Sequence, residues 1–155
     1  MAGLSIFLLG PFQAALDGQT VTGFESNKVR ALLAYLAVEA ERPHARETLA
    51  GLLWPDYTHT SALNNLRSVL ANLRRTIGDR QAQPPYLLIS RNTLQFNAAS
   101  DHMLDYERLQ NLPQRSIEQL EAAVAGCRGA FMEGFSLEDS PPFEEWLLYR
   151  REQAN

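Results

Sequence analysis

Between residues 60 and 78 the sequence TSALNNLRSVLANLRRTIG sets amides, hydroxyls and guanidinium groups at spacings that could read a nucleic acid. On a helix turning about 100° per residue, Ser61, Asn64, Ser68 and Arg75 share one side, flanked by Asn65, Arg67, Asn72 and Arg74. That side carries no acid, whereas an ordinary solvated face mixes Glu with Lys. Asparagine can pair bidentately with adenine N6/N7 and arginine with guanine O6/N7, and both can hold phosphate. Asn64 therefore suits an adenine, and Arg67 a guanine or a phosphate. For Asn65 and Arg67 a structural role beside the apolar stripe is the alternative. Arg74 and Arg75 are phosphate clamps or plain surface charge.

Other chemistry is poorly served. His44, His59 and His102 are scattered without metal-ligand spacing. Cys127 falls on the apolar side of a helical pattern, where a thiol packs rather than attacks. No glycine-rich phosphate loop occurs. Glu144 and Glu145 adjoin on a helix and point in different directions, which is wrong for a catalytic carboxylate pair. The expectation is no enzyme, no metal site and no cofactor.

Charge is unevenly divided. The 155 residues carry a net −4, yet residues 59–91 hold five arginines against Asp79 alone. The local patch that meets the phosphates governs affinity more than the molecular total. An acidic remainder with one basic stretch argues for a single oriented face. The hydrophobic fraction of 45% supplies a core, no apolar run approaches the roughly 20 residues that span a bilayer, and nothing directs export. One cysteine forms no internal disulfide, so a cytoplasmic protein without a membrane partner is expected.

The elements that must position the polar face follow from periodicity. LSIFLL at 4–9 reads as a buried strand closed by Gly10-Pro11, and residues 12–16 and 19–22 flank Asp17-Gly18, a hairpin turn. Ser26 suits an N-cap. Val29, Leu32, Leu33 and Leu36 mark a helix over 27–39, with Lys28 and Arg30 as solvated surface. A second helix spans 46–53 and stops at Trp54-Pro55, with Trp54 expected in the core. Leu63, Leu66, Leu70, Leu73 and Ile77 then give the third helix a narrow apolar stripe of roughly 80° of arc. Two short strands, 86–90 and 93–96, surround Arg91-Asn92. A short helix, a turn, a longer helix with a polar face and a hairpin make a winged helix-turn-helix.

From residue 101 the chain turns acidic and helical. Met103, Tyr106, Leu109 and Leu112 suggest one helix; Ile117, Leu120, Val124 and Cys127 a second; residues 143–155 a third. Residues 98–155 read as the opening of a larger helical domain after a DNA-binding unit at 3–97. The alternative is that these helices pack back on the first unit and complete it.

Several runs in order resemble one family. NKVRALLAYLA at 27–37, LLWPD at 52–56, NNLR at 64–67, LRR at 73–75 and Ile77-Gly78 look like the SARP-type (antibiotic regulatory protein) bacterial transcriptional activators. FMEGFSLEDSPPFEEW at 131–146 and RRE at 150–152 are similar to the bacterial transcriptional activation domain that follows in them. The resemblance implies an α+β winged helix-turn-helix of the response-regulator type, followed by an all-α helical-repeat segment that is truncated here. It implies binding to repeated promoter sites in double-stranded DNA, with self-association on direct repeats, and recruitment of RNA polymerase. Carried onto this chain, the recognition helix is 60–77, with Thr60, Ser61, Asn64, Asn65, Arg67, Ser68, Asn72, Arg74 and Arg75 toward DNA. The wing tip is Arg91, Asn92 and Thr93. Because small three-helix units also bind proteins, the alternative function is an interaction module whose Arg-rich face takes an acidic protein partner.

Overall fold

A computed structural model describes residues 3–110 and 129–154. Its first strand, β1 (Leu4–Phe7), alternates buried and half-buried positions, as a sheet packed on one face requires. It pairs antiparallel with β2 (Gln13–Leu16), Leu4 opposite Leu16. The chain then turns through Asp17 and Gly18, both at positive φ (+52° and +86°), into β3 (Gln19–Thr20). Positive φ at both central residues is what a tight hairpin between twisted strands demands.

Three helices follow close to the expected bounds. Helix α1 (Asn27–Val38) has Ser26 at its N-cap in extended conformation, although the hydroxyl makes no capping bond. Helix α2 spans Arg46–Leu53 and α3 spans His59–Thr76. The Thr58 hydroxyl accepts from Ser61 N at 3.2 Å to cap α3, and Gly78, at φ +66°, provides the left-handed residue that ends it. Between α1 and α2 the two-residue strand β4 (His44–Ala45) pairs with β6 (Thr93–Phe96), which pairs in turn with β5 (Leu87–Ile89). The hairpin is therefore the outer part of a three-stranded sheet in the order β4-β6-β5.

Met103 corrects the sequence reading. It lies in β7 (His102–Leu104), which runs parallel to β1 and closes a four-stranded sheet in the order β3-β2-β1-β7. Helix α4 (Asp105–Gln110) starts only after it. Met103 and Tyr106 imitate a helical i, i+3 pair, and a three-residue strand is too short to show period 2. The second expected helix, with Ile117, Leu120, Val124 and Cys127, lies outside the described residues, as does Leu112. Residues 141–154 form α5 (Pro141–Ala154), so the described part beyond residue 97 holds two helices and displays no repeat.

The packing runs across the expected 97/98 boundary. Phe131, Phe143 and Leu147 belong to the same buried cluster as Leu32, Leu49, Leu66 and Phe96. The Asp105 carboxylate accepts from Leu8 N at 2.8 Å and Leu9 N at 3.0 Å. Gly10 N donates to Ala130 O at 2.9 Å, tying 130–133 beside the end of β1. Arg151 donates to the carbonyls of Phe131, Met132 and Phe135, each at 2.9 Å. Lys28, far from being solvated surface, donates to Leu53 O and to Ser140 Oγ and lies 3.2 Å from Asp139. It also sits over the Trp54 ring at 5.3 Å, and Trp54 is in the core as expected.

The strongest of these ties is at Glu39, the C-cap of α1. Its Oε2 accepts from Trp146 Nε1 at 2.9 Å and from Arg150 Nε at 3.1 Å, with a further bond from Arg150 NH2. Burial alone would push this carboxyl up, but the bonds from Trp146 and Arg150 outweigh it and hold it below its ordinary value. A depressed carboxylate stabilises the fold above the unfolded-state pKa and loses that contribution as pH falls through the folded value. Glu39→Gln should therefore cost about 2 kcal/mol near neutrality. The gap from wild type should close in acid, as read from urea unfolding at pH 7 and pH 3. The same packing leads us to expect that a 3–97 fragment, stripped of Asp105, β7 and α5, melts well below the whole chain in a circular-dichroism scan.

Candidate nucleic-acid interface

Helix α3 buries Ala62, Leu66, Leu70 and Leu73 against α1 and α2. Its remaining arc is open: Thr60, Ser61, Asn64, Arg67, Ser68, Ala71 and Arg75 are exposed, and no acid stands among them. Arg67 NH1 donates to Asn64 Oδ1 at 3.1 Å, holding guanidinium and amide side by side in the first half of the helix. The Asn64 oxygen keeps a second lone pair and its NH2 both donors. Asn65 is half-buried beside the apolar stripe.

The hairpin tip is organised by Ser90. Its hydroxyl accepts from Asn92 N at 3.3 Å and Thr93 N at 2.9 Å and shares a 2.7 Å bond with Thr93 Oγ1. Thr93 is thus half-buried and spent on the turn. Arg91 and Asn92 are exposed, and the Arg91 guanidinium has no partner among the described residues. A cleft of about 400 Å³ opens between the tip and α3, with Arg46, Glu47, Arg67, Arg91 and Asn92 on its walls and Leu63 and Leu66 among its lining. The fold therefore brings the first half of α3 and the hairpin tip onto one concavity, where three guanidinium groups outnumber the single carboxylate of Glu47.

Two of the expected contact residues are engaged in bonds within the fold. Asn72 is 3% exposed; its Oδ1 accepts from Glu25 N at 3.0 Å and its Nδ2 donates to Gly23 O at 3.2 Å. It fastens the segment before α1, which covers the rear half of α3 at that height. Arg74 Nε donates to Asp79 Oδ2 at 3.1 Å. Asp79, 2% exposed, also accepts from Tyr86 N at 2.9 Å and Leu87 N at 3.0 Å. Arg74 is thus half of a structural ion pair joining the end of α3 to the start of β5. Arg75 remains exposed and pairs with Glu25 at 3.3 Å, a surface bridge of small energetic weight.

Sequence reasoning missed Arg46 and Asp79. The first gave a faint signal, a cation in the first turn of a helix where the dipole disfavours it. The second was the lone acid of a basic segment. The histidines stand apart: His44 is buried against Glu39 O at 2.7 Å, His59 lies 3.7 Å from Glu47, and His102 turns to Ser100. Among the described residues no three His, Cys, Asp or Glu side chains group as metal ligands. No helix among them is long and apolar enough to cross a membrane.

No family model matches the chain. The transcriptional regulatory protein EmbR of Mycobacterium bovis is 33% identical over 85 residues, which are 55% of this chain and 22% of EmbR. EmbR of two Mycobacterium tuberculosis strains matches to the same extent. The stretch in common is thus about a fifth of the length of these relatives. A solved structure of Mycobacterium tuberculosis EmbR in complex with a low-affinity phosphopeptide superposes with a TM-score of 0.73 at 24% identity. It covers 99% of this chain and 43% of that one, and the likeness extends the shared α+β fold through α5.

The Asp79 joint has a measurable consequence. Asp79→Ala strands Arg74 and leaves two buried N–H groups without acceptors, so stability should fall by about 3 kcal/mol. Arg74→Ala, which keeps both backbone bonds, should cost less. Urea unfolding of the two variants gives the order directly, and equal small losses would remove Asp79 as the joint.

Proposed function

We propose that the chain is the DNA-binding part of a SARP-type transcriptional regulator. The carrying observation is the exposed face of α3 without an acid of its own, where Arg67, bonded to Asn64, shares a cleft with Arg91 of the hairpin. In this reading α3 enters the major groove by its first half, with Thr60, Ser61, Asn64, Arg67 and Ser68 toward base edges and phosphates. Asn65 stays at the margin, and Arg75 stands nearer the flanking backbone. Arg91 and Asn92 meet the adjacent backbone or minor groove. Asn72 and Arg74 drop out, and Thr93 shapes the tip.

The likeness to EmbR, a transcriptional regulatory protein, supports regulation of transcription as the setting. Direct-repeat promoter sites and RNA polymerase recruitment rest on the SARP resemblance, and a cytoplasmic location on the single cysteine and the lack of an export signal in the sequence. Head-to-tail units place their recognition helices on one DNA face when repeats lie about one helical turn apart.

Selection from random-sequence duplexes tests the reading. An enriched motif supports it. Absence of enrichment, with retention of an acidic protein partner by the same face, would favour the interaction module. On a selected site, Asn64→Ala should relax preference at one base position by about 1–3 kcal/mol. Arg91→Ala should weaken all duplexes alike and lower the salt slope by about one. Inserting roughly half a helical turn between repeats should abolish cooperative footprints.

A further inference from the structure

Arg46 occupies an unusual junction. Strand β4 ends at Ala45 and helix α2 begins at Arg46 with no linker. The Arg46 backbone N donates to Asn92 O at 2.9 Å, one step beyond the Ala45–Thr93 pair of the β4–β6 ladder. Its side chain then reaches across, and Nε (3.2 Å) and NH2 (2.8 Å) converge on the carbonyl oxygen of Ser90. Ser90 and Asn92 are the two neighbours of Arg91. The tip is thus held from α2 on both sides of the residue whose own side chain has no partner among the described residues.

A hairpin of three- and four-residue strands is marginal by itself, and a contact made from a loose tip must first overcome the entropy of ordering it. The Arg46 fork supplies that order in advance. The two N–H groups of one guanidinium edge can meet a single carbonyl; a lysine ammonium on its flexible stem fixes no such orientation. We propose that Arg46 is a positioning residue: it locks the hairpin tip to α2 so that Arg91 stands at a set distance from the Arg67 face of α3. This rests on the reading that α3 and the tip engage one duplex.

The experiment is a double-mutant cycle in the full chain, measured on a selected duplex, with amide hydrogen exchange of the free protein alongside. Arg91→Ala alone should weaken binding about tenfold. In an Arg46→Ala background the same change should matter less than about twofold, because an unanchored tip no longer delivers Arg91. Arg46→Lys, which keeps the charge and loses the fork, should resemble Arg46→Ala. Exchange at the Asn92 and Thr93 amides should accelerate in both Arg46 variants without a duplex present. Additive losses, or full binding by Arg46→Lys, would make Arg46 a direct charge contact and overturn the proposal, as would unchanged exchange at the tip. If the wild-type chain binds no selected duplex, the DNA reading fails separately, and the exchange comparison alone decides whether Arg46 holds the tip.

Discussion

A carboxylate can be buried only when its oxygens are filled, and the relation of α3 to the hairpin depends on one such group. Asp79 stands just past the end of α3 and gathers Arg74 from that helix with the Tyr86 and Leu87 amides from the start of β5. Its three bonds set the angle at which the hairpin leaves the helix. The Arg46 fork sets the other end of the hairpin, at Ser90. Between these fixed points the cleft has a defined width. The basic concavity is therefore a product of two polar anchors as much as of the hydrophobic core beneath it.

Glu39 and Asp105 repeat the device elsewhere in the molecule. Asp105 fills the amides at the end of β1, and Glu39 receives Trp146 and Arg150 from α5. The Tyr35 ring lies between His44 (5.3 Å) and Trp146 (5.0 Å), and burial together with the nearby Glu39 charge pushes its hydroxyl pKa up. His44 in turn belongs to β4, the strand that carries the hairpin. Residues near the end of the chain are thus one packing layer from the strand that braces the hairpin. Elements after residue 97 supply a sheet strand, aromatic rings and backbone acceptors to the first unit.

What could be read in advance was what repeats. Helices α1, α2 and α3 bury apolar residues at steps of three and four, and the Asp17-Gly18 turn carries its own chemistry, so their bounds fell within a residue or two. Strands β4 and β7 could not be read, because two or three residues have no period and both exist through long-range pairing. Asn72 shows the limit of a helical wheel. Its direction matches the polar face, but a wheel is blind to the segment at 21–26 that lies over that height of the helix. Arg74 shows another: only the fold places Asp79 within reach. The convergence of Arg67 and Arg91, 24 positions apart in sequence, was accessible only through the order of elements.

The withdrawal of Arg74 into its ion pair has a kinetic side. With Arg74 bound to Asp79 and Arg75 facing Glu25, two guanidinium groups of α3 already face carboxylates on a molecule of net charge −4. Sequence-independent adhesion to a duplex scales with the number of phosphates neutralised. If α3 meets DNA as proposed, such a surface would dwell briefly at any arbitrary site and let go. Time spent on DNA would then be weighted toward positions where Asn64 and Arg67 find matching bases, so a search by frequent release would replace one by long sliding.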